Sequence, residues 1–271
     1  MRIRSVSVLV VTSFLLVGLR SPVRAQSAAR TGTYRPPTSA ASAPTARAAG
    51  PVVEASSNAG DVGDAMDVAS DFVSWGSKSW VQRSSVSGKA PTGRLVGQFG
   101  DLPSEGTDAA VLSTGSSVSF FEPNLEGNFS ASNGLSIRGV NDPVILKVDF
   151  DVRNGGNCVA FDFRFYSEEF PEFVGSEFND AFLAELDANT WSIDATNFSN
   201  PVVAPANFAF VPGPTPVPIE VNTAGPAAMT AENAAGTTYD GATRLLTAQK
   251  AVSPGQHSLY FTIFDQGDGG F

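Results

Sequence analysis

The chain has 271 residues, and its net charge of −10 conceals a strong asymmetry. All seven basic residues of residues 1–50 precede the first acidic residue, so residues 51–271 carry 10 basic and 27 acidic side chains, a net charge of −17. Such a field repels phosphate backbones and anionic headgroups, so we expect no nucleic acid partner. A single cysteine, Cys158, excludes an intrachain disulfide, and one Cys with one His makes zinc a poor fit.

The first 25 residues have the pattern of a secretory signal peptide. Basic residues precede an apolar run over residues 6–19, and Val23-Arg24-Ala25 resembles a cleavage site. The run has about fourteen residues, fewer than the roughly 20 that cross a bilayer, so a membrane anchor is the weaker alternative. The sequence therefore predicts a signal peptide over 1–25, a secreted or extracellular protein, and no transmembrane segment.

The next stretch predicts a linker and then a helix. Residues 26–58 are rich in Ala, Ser, Thr, Pro and Gly without apolar periodicity, which is typical of a flexible linker. Residues 64–73 (DAMDVASDFV) place Ala65, Val68 and Phe72 at helical spacing behind an acidic first turn. We therefore predict a linker over 26–58, and a domain over 59–271 that opens with a short N-terminal helix.

From there the apolar pattern changes to the two-residue period of β-strands. In residues 144–152 (VILKVDFDV) alternate side chains are apolar and polar, which predicts one buried and one solvated face. The same alternation recurs in residues 159–169, 180–187 and 257–265, and shorter candidates are residues 118–121, 208–211, 217–221 and 245–248. Strands separated by Gly, Pro and Asn turns predict an all-β fold, an antiparallel β-sandwich resembling a jelly roll.

Acidic side chains concentrate in one loop and two turns beside these strands. Strand phase directs Glu169, Asp180 and Asp265 toward the core, and antiparallel hairpins would bring the acidic strand ends together. Carboxylates about 4 Å apart repel by roughly 4 kcal/mol per pair at an effective dielectric near 20, and Ca²⁺ would relieve this repulsion with oxygen ligands alone. The candidate metal ligands are Glu168, Glu169, Asn179, Asp180, Asp240, Asp265 and Asp268. The alternative is a solvated loop with Glu169 protonated or paired to Arg164 or Lys250.

Four segments resemble one known family. They are FDFRFYSEEFPEFVGSEFNDAFLAEL (residues 161–186), DAAVLSTG (108–115), TTYDGATRLLTA (237–248) and SLYFTIFDQGDGGF (258–271). In this order they resemble the choice-of-anchor L domain, over about residues 60–271. The resemblance implies an exported bacterial surface domain of β-sandwich type, found beside differing C-terminal sorting signals, without catalytic residues. An Asp-Ser-Ala-Val-Phe segment normally follows the position of Phe271 in this family, so the resemblance implies a C-terminally truncated domain, lacking its last strand and any cell-surface anchor.

The residues favour a binding module over an enzyme. A Ser-His-Asp site has only His257 as its base, and a residue leading a strand is expected to face solvent. Cys158 lies in a strand pattern, which favours a buried and unreactive thiol. We therefore predict a surface binding or adhesion module with a structural Ca²⁺ site and a glycan or protein ligand. The alternatives are a lectin-like domain in which Trp75, Trp80 and Trp191 bind sugar, a carboxylate-based glycan hydrolase, and a structural spacer.

Overall fold

The computed structural model describes residues 7–12, 50–67, 72–83, 90–124, 136–197 and 201–267, with the backbone alone in 7–12. The helices are α1 (Ala59–Asp64) and α2 (Val221–Ala228), with 3₁₀ turns at Ser117–Phe121 and Glu232–Ala234. The strands are β1 (Ser7–Thr12), β2 (Val52–Ala55), β3 (Val73–Gln82), β4 (Thr92–Val96), β5 (Asp108–Ser113), β6 (Ser136–Ile137), β7 (Val140–Val152), β8 (Cys158–Ser167), β9 (Ala181–Leu186), β10 (Ser192–Ile193), β11 (Val202–Val203), β12 (Phe210–Val211), β13 (Val217–Glu220), β14 (Met229–Thr230), β15 (Gly241–Thr243), β16 (Leu246–Ala251) and β17 (Gly255–Asp265).

The strands form two large sheets, which we call sheet A and sheet B. Sheet A has the order β14-β15-β8-β1-β5-β4-β2, and β16 also pairs with β8. Sheet B has the order β12-β13-β9-β17-β7-β3, and β6 also pairs with β7. Strands β10 and β11 form a separate two-stranded sheet. Most pairs are antiparallel, and the predicted all-β sandwich is confirmed.

The main core lies between the two sheets. Phe161, Phe163 and Phe165 of β8 are fully buried and pack in one cluster with Phe261 of β17 and Leu146 of β7. Burying each such side chain contributes roughly 1.5 to 3 kcal/mol, and a one-residue slip of a strand would turn its whole row toward the other face. The apolar strand faces predicted from the alternation are therefore the buried ones.

The prediction that the opposite strand faces are solvated is wrong over much of both sheets. On sheet A, Phe120, Tyr166 and Tyr239 form a second buried cluster. On sheet B, the indole of Trp191 stacks on the ring of Phe264 at a centroid distance of 4.8 Å, within a third buried cluster. The reason is that chain segments between the strands fold back over these faces, which single-strand periodicity does not reveal.

A short N-terminal helix is present, but it precedes the predicted range. Helix α1 spans Ala59–Asp64, where Asn58 Oδ1 accepts a hydrogen bond from Gly60 N at 2.8 Å and caps the helix. Part of the predicted 64–73 range, residues 68–71, lies outside the described residues, and Val73 already pairs with Val152 as the first residue of β3. Sheet pairing has overridden the local helical pattern at this end.

Several shorter segments also differ from the sequence interpretation. The predicted strand over residues 118–121 is wrong, because Ser117–Phe121 forms a 3₁₀ turn. Helix α2 was not predicted, since Gly225 and Pro226 in its interior are poor helix formers. Strand β2 lies within the stretch predicted as linker, and β1 lies within the predicted signal peptide, whose remaining residues are outside the described ranges. No helix of the described residues is both long enough and apolar enough to cross a membrane.

Candidate metal centre

Three buried carboxylates meet at one end of the sandwich. Glu169, Asp180 and Asp265 are 0, 1 and 5 % exposed, and one oxygen of each lies within 4.8 Å of the others. We call them the carboxylate trio. At this separation each pair of charges repels by roughly 3 to 4 kcal/mol at an effective dielectric near 20. The arrangement could therefore hold a metal ion, whose positive charge would offset that repulsion.

Each member of the trio stands at the end of a long strand. Glu169 lies two residues beyond the end of β8, Asp180 immediately precedes β9, and Asp265 is the last residue of β17. Glu169 keeps the inward phase of the β8 phenylalanines, as the sequence predicted. The route that brings these ends together differs from the prediction. Strand β8 belongs to sheet A and β9 to sheet B, so residues 168–180 cross between the sheets instead of closing a hairpin.

The crossing loop is fixed at its return into β9 by polar contacts. The Asn179 backbone N–H donates to the carbonyl of Gln266 at 3.0 Å, which ties the loop to the end of β17. The Asn179 side chain donates to Glu220 Oε2 at 3.0 Å and accepts from the Asn222 backbone N–H at 2.9 Å. Asp180 N–H donates to Glu169 Oε2 at 3.2 Å, which links two members of the trio directly.

The donor set fits a hard cation of the size of Ca²⁺. Calcium takes oxygen ligands at 2.3–2.6 Å, so two ligand oxygens on one ion lie at most about 4.6 to 5.2 Å apart. The trio falls within that limit without movement of any strand. Zn²⁺ prefers nitrogen or sulfur ligands. The buried all-oxygen donor set could therefore hold a hard metal cation.

The two basic residues considered as alternative partners of Glu169 are placed differently from that alternative. The Arg164 guanidinium contacts Asp101, with Nε at 2.8 Å from Oδ1, and donates to the carbonyl of Asn233 at 3.1 Å. The backbone of Lys250 pairs with Val159 near the start of β8, whereas Glu169 lies beyond the other end of that strand.

The remaining predicted ligands lie outside the trio. Glu168 faces Asp240 and Glu172, and burial with these two charges raises its pKa to about 9. Asp240 accepts a hydrogen bond from Asn124 Nδ2 at 2.8 Å. Asn179 lies beside the trio but directs its amide to its neighbours, and Asp268 is outside the described residues. Six of the seven predicted residues thus separate into the trio, one adjacent amide, and Glu168 with its neighbour Asp240.

The comparison with protein families agrees with the resemblance of the sequence motifs. A family model of the choice-of-anchor L domain matches residues 86–271, which is more than half of the chain and includes the trio. The chain belongs to the choice-of-anchor L domain family. No match to it was found among curated proteins or among solved structures.

Membership of this family indicates a surface-associated module, and the family is not a known enzyme family. The only histidine is consistent with a structural role: His257 Nδ1 lies 2.7 Å from Asp187 Oδ2, and Nε2 lies 2.9 Å from the carbonyl of Ser253. The side chain is half-buried, so the prediction that it faces solvent is wrong. Burial lowers its pKa, but the hydrogen bonds to Asp187 and Ser253, with the negative charges of Asp187 and Asp151, outweigh that effect and raise it. Cys158 is also half-buried instead of buried.

A second feature of the choice-of-anchor L domain, a groove along strands β3, β7 and β17 of sheet B, was not predicted as a unit. It encloses about 630 Å³ and is lined by Trp75, Asp149, Asp151, Asp187 and His257 among others. The β3 register shifts between Trp75 and Lys78, which opens the sheet surface there. Burial opposes ionisation of Asp149, but hydrogen bonds from Lys147, Ser258 and Ser77 lower its pKa to about 2. The groove therefore carries the charge of Asp149, while the Trp75 ring packs on the ring of Phe150 at a centroid distance of 5.9 Å, toward the main core.

Sequence reasoning also missed the residues that position the crossing loop. Glu220 is 1 % exposed, and Asn222 Nδ2 donates to the carbonyl of Ser176 at 2.9 Å. Burial raises the pKa of Glu220, although the hydrogen bond from Asn179 acts in the opposite direction. These residues stand about forty positions away from the loop, at the junction of β13 and α2, so no local pattern links them. In the sequence, the one signal is that Glu220 and Asn222 are polar residues at the start of the mostly apolar residues 221–228.

Proposed function

We propose that this choice-of-anchor L domain is an exported binding or adhesion module, and that the carboxylate trio holds a structural Ca²⁺. The observation that carries the proposal is the meeting of Glu169, Asp180 and Asp265 in a buried, all-oxygen cluster of calcium dimensions. The ion would connect the ends of β8, β9 and β17, and hence both sheets and the crossing loop. A fixed loop at the end of a rigid sandwich is a common place for a binding surface.

The burial of the trio supports a structural role over glycan hydrolysis. A hydrolase requires two carboxyl groups that reach the two sides of a glycosidic bond. The trio residues are at most 5 % exposed, and their oxygens face one another. This geometry suits ion binding, and it would deny a polysaccharide access to the carboxyl groups.

A thermal unfolding experiment tests the calcium site. We expect the midpoint of the full chain, stripped with EDTA, to rise when Ca²⁺ is added. At a hundred times the dissociation constant, Ca²⁺ contributes about 2.7 kcal/mol, which corresponds to roughly 5 to 10 °C for a domain of this size. If both Ca²⁺ and EDTA leave the midpoint unchanged, the calcium site does not exist.

Two matched variants identify the ligands. Asp180→Asn should abolish the Ca²⁺ response and, because it removes one of the repelling charges, should raise the midpoint of the metal-free chain. Asp240→Asn removes a neighbouring acid that lies outside the trio, so its Ca²⁺ response should equal that of the wild type. Equal loss of the response in both variants would point to general charge density instead of the trio.

The groove on sheet B supports a glycan as the second candidate ligand. Carboxylates and amides that line a groove can accept hydrogen bonds from sugar hydroxyls and donate to sugar oxygens. Asp149, Asp151 and Gln256 contribute these acceptors and donors. In the family context of a surface-associated module, such a groove favours a lectin-like activity.

A glycan array with the full chain tests this candidate. We expect binding to a subset of neutral glycans, at least about tenfold weaker in Asp151→Ala, since a hydrogen bond to a charged acceptor contributes roughly 1.5 kcal/mol or more. Asp240→Ala is the matched control, because Asp240 is an acidic residue outside the groove lining. Glycan binding that is insensitive to Asp151→Ala would place the ligand elsewhere, and no binding to any glycan would contradict this candidate.

A further inference from the structure

His257 lies at the end of the sandwich opposite the carboxylate trio. It is the third residue of β17, whereas Asp265 of the trio is the last. Its ring contacts two other chain segments. Nδ1 lies 2.7 Å from Asp187 Oδ2, directly after β9, and Nε2 lies 2.9 Å from the carbonyl oxygen of Ser253, in the turn between β16 and β17. Strand β16 belongs to sheet A and β9 to sheet B, so the ring connects the two sheets at this end.

Both ring nitrogens of His257 face hydrogen-bond acceptors, and this determines the charge of the ring. A carboxylate oxygen and a backbone carbonyl oxygen accept hydrogen bonds and cannot donate them. A neutral imidazole has a single N–H, so with a neutral ring one of the two short contacts would join two acceptors. Only the protonated imidazolium can donate to Asp187 and to Ser253 at the same time. The positions of the heavy atoms therefore correspond to a charged ring.

The partners of the ring are held in place by the sheet. The Asp187 backbone N–H donates to the carbonyl of Ser258 at 2.8 Å, and Asp187 Oδ1 accepts from the Ser258 backbone N–H at 2.8 Å. Asp187 has φ +60°, a left-handed conformation that aspartate adopts more often than most residues. The imidazole ring packs on the ring of Phe150 at a centroid distance of 5.6 Å. These contacts direct Oδ2 at Nδ1, so the ion pair does not depend on two flexible side chains.

Acidic groups dominate the surroundings of the ring. Asp149 and Asp151 of β7 line the groove together with His257. Lys147 lies in the same lining, with its Nζ at 2.7 Å from Asp149 Oδ1, and β3 contributes uncharged residues there. Burial lowers the pKa of His257, but its hydrogen bonds and the negative charges of Asp187 and Asp151 raise it above the ordinary value of 6.5. The surroundings therefore favour the same charged ring that the two acceptors require.

We propose that His257 is a pH-sensitive clamp, which in its protonated form holds the β16–β17 turn (residues 252–254) to the end of β9 and in its neutral form releases the carbonyl of Ser253. The neutral ring has one N–H, and the hydrogen bond to the carboxylate of Asp187 is the stronger of the two, so the bond to Ser253 is the one lost. Asp187, Gln256 and His257 all line the groove, so the clamp also sets the shape of its rim.

The direction of the pH dependence follows from the raised pKa of His257. A group whose pKa is higher in the folded chain than in the unfolded chain stabilises the folded chain at low pH. The clamp therefore contributes fully below pH 6.5, and its contribution is lost as pH rises through the folded-state pKa of His257. The clamp is closed at low pH and opens at higher pH.

An NMR titration of the full chain tests the clamp, because His257 is the only histidine and gives the only histidine ring signals. At pH 6.5 we expect the nitrogen shifts of an imidazolium, whereas the urea-unfolded chain should be half-titrated there. Asp187→Asn should lower the midpoint of the titration. Asp240→Asn, an acid near the other end of β8, should leave it unchanged. A neutral ring with one N–H at pH 6.5, or a midpoint that Asp187→Asn does not move, overturns the proposal.

The backbone of residues 252–256 reports the release of the turn. We expect the heteronuclear NOE of these amides to fall across the titration midpoint of His257 in the wild type, while the amides of β7 keep theirs. In His257→Gln the same amides should show no change over this pH range, because the titrating group is absent. A constant NOE in the wild type, or the same fall in His257→Gln, overturns the release. Neither measurement involves Ca²⁺ or a glycan, so the outcome is independent of the proposed function.

Discussion

At the scale of single residues, Glu168 and Glu169 show how neighbouring carboxyl groups acquire different chemistry. Successive residues of a strand face opposite sides, so Glu169 continues into the core beside Asp180 while Glu168 faces Asp240 and Glu172. The alternation of apolar residues in β8 correctly predicted that Glu169 faces the core. It could not separate the two residues as metal ligands, because the burial of Glu168 arises from a turn near residue 240 that is distant in sequence.

The raised pKa of Glu168 predicts a pH dependence of stability. Its pKa rises from the ordinary value of 4.5 to about 9 on folding, so the folded chain retains a proton that the unfolded chain releases above pH 4.5. The group therefore lowers the free energy of unfolding as pH rises from 4.5 towards 9, by at most about 1.4 kcal/mol per pH unit.

Glu168→Gln removes this titration. We expect urea unfolding between about pH 6 and about pH 8.5 to show a smaller loss of stability in Glu168→Gln than in the wild type. Glu177→Gln, an exposed change in the same loop, is the control and should keep the wild-type slope. Parallel pH profiles for Glu168→Gln and the wild type would show that Glu168 is ionised in the folded protein.

At the scale of elements, the long strands were predictable and their connections were not. The alternation of β7, β8, β9 and β17 identified each strand and its buried face, because burial of one face imposes a two-residue period. The crossing of residues 168–180 between sheets has no local signature. Helix α2 likewise contains Gly225 and Pro226, and it exists because tertiary packing outweighs these poor helix formers.

The contact between β17 and the crossing loop yields a test of the trio's support. Gly267 has φ +113°, and a Cβ there would lie 2.5 Å from the carbonyl oxygen of Glu177. We expect Gly267→Ala to displace the loop from the end of β17 and to weaken Ca²⁺ binding by at least about tenfold, or roughly 1.4 kcal/mol. Calcium titration of the variant measures the effect.

Gly255 offers a matched control for this substitution. It has φ +130°, and a Cβ there would meet no atom within 4 Å, so Gly255→Ala introduces backbone strain without a steric clash. The control should lose some stability and retain wild-type Ca²⁺ affinity. Equal affinities in the two alanine variants would show that the Gly267 contact does not position the trio.

At the scale of the whole molecule, the fold class follows from the strand pattern and surface association from family membership, whereas the completed site follows from topology. The sequence predicted seven metal-ligand candidates, but only a fold that brings the ends of β8, β9 and β17 together could select three of them. The groove on sheet B shows the same limit, since its lining comes from three strands and a loop. Such sites depend on long-range pairing.

The overall charge predicts which partners the protein avoids. Residues 51–271 carry a net charge of −17, and the basic residues of 1–50 lie outside this region. We expect the full chain to pass through a heparin column and to leave duplex DNA unbound at about 0.15 M salt, because the acidic surface repels polyanions. Retention on heparin that weakens with added salt would reveal a basic patch and contradict this expectation.

Calorimetric titration of Ca²⁺ into the metal-stripped full chain tests the central claim most directly. We predict one Ca²⁺ bound per wild-type chain, the same stoichiometry in Asp240→Asn, and no binding in Asp180→Asn. A wild-type chain that binds no Ca²⁺, or an Asp180→Asn chain that binds it with unchanged affinity, would contradict a calcium site at Glu169, Asp180 and Asp265.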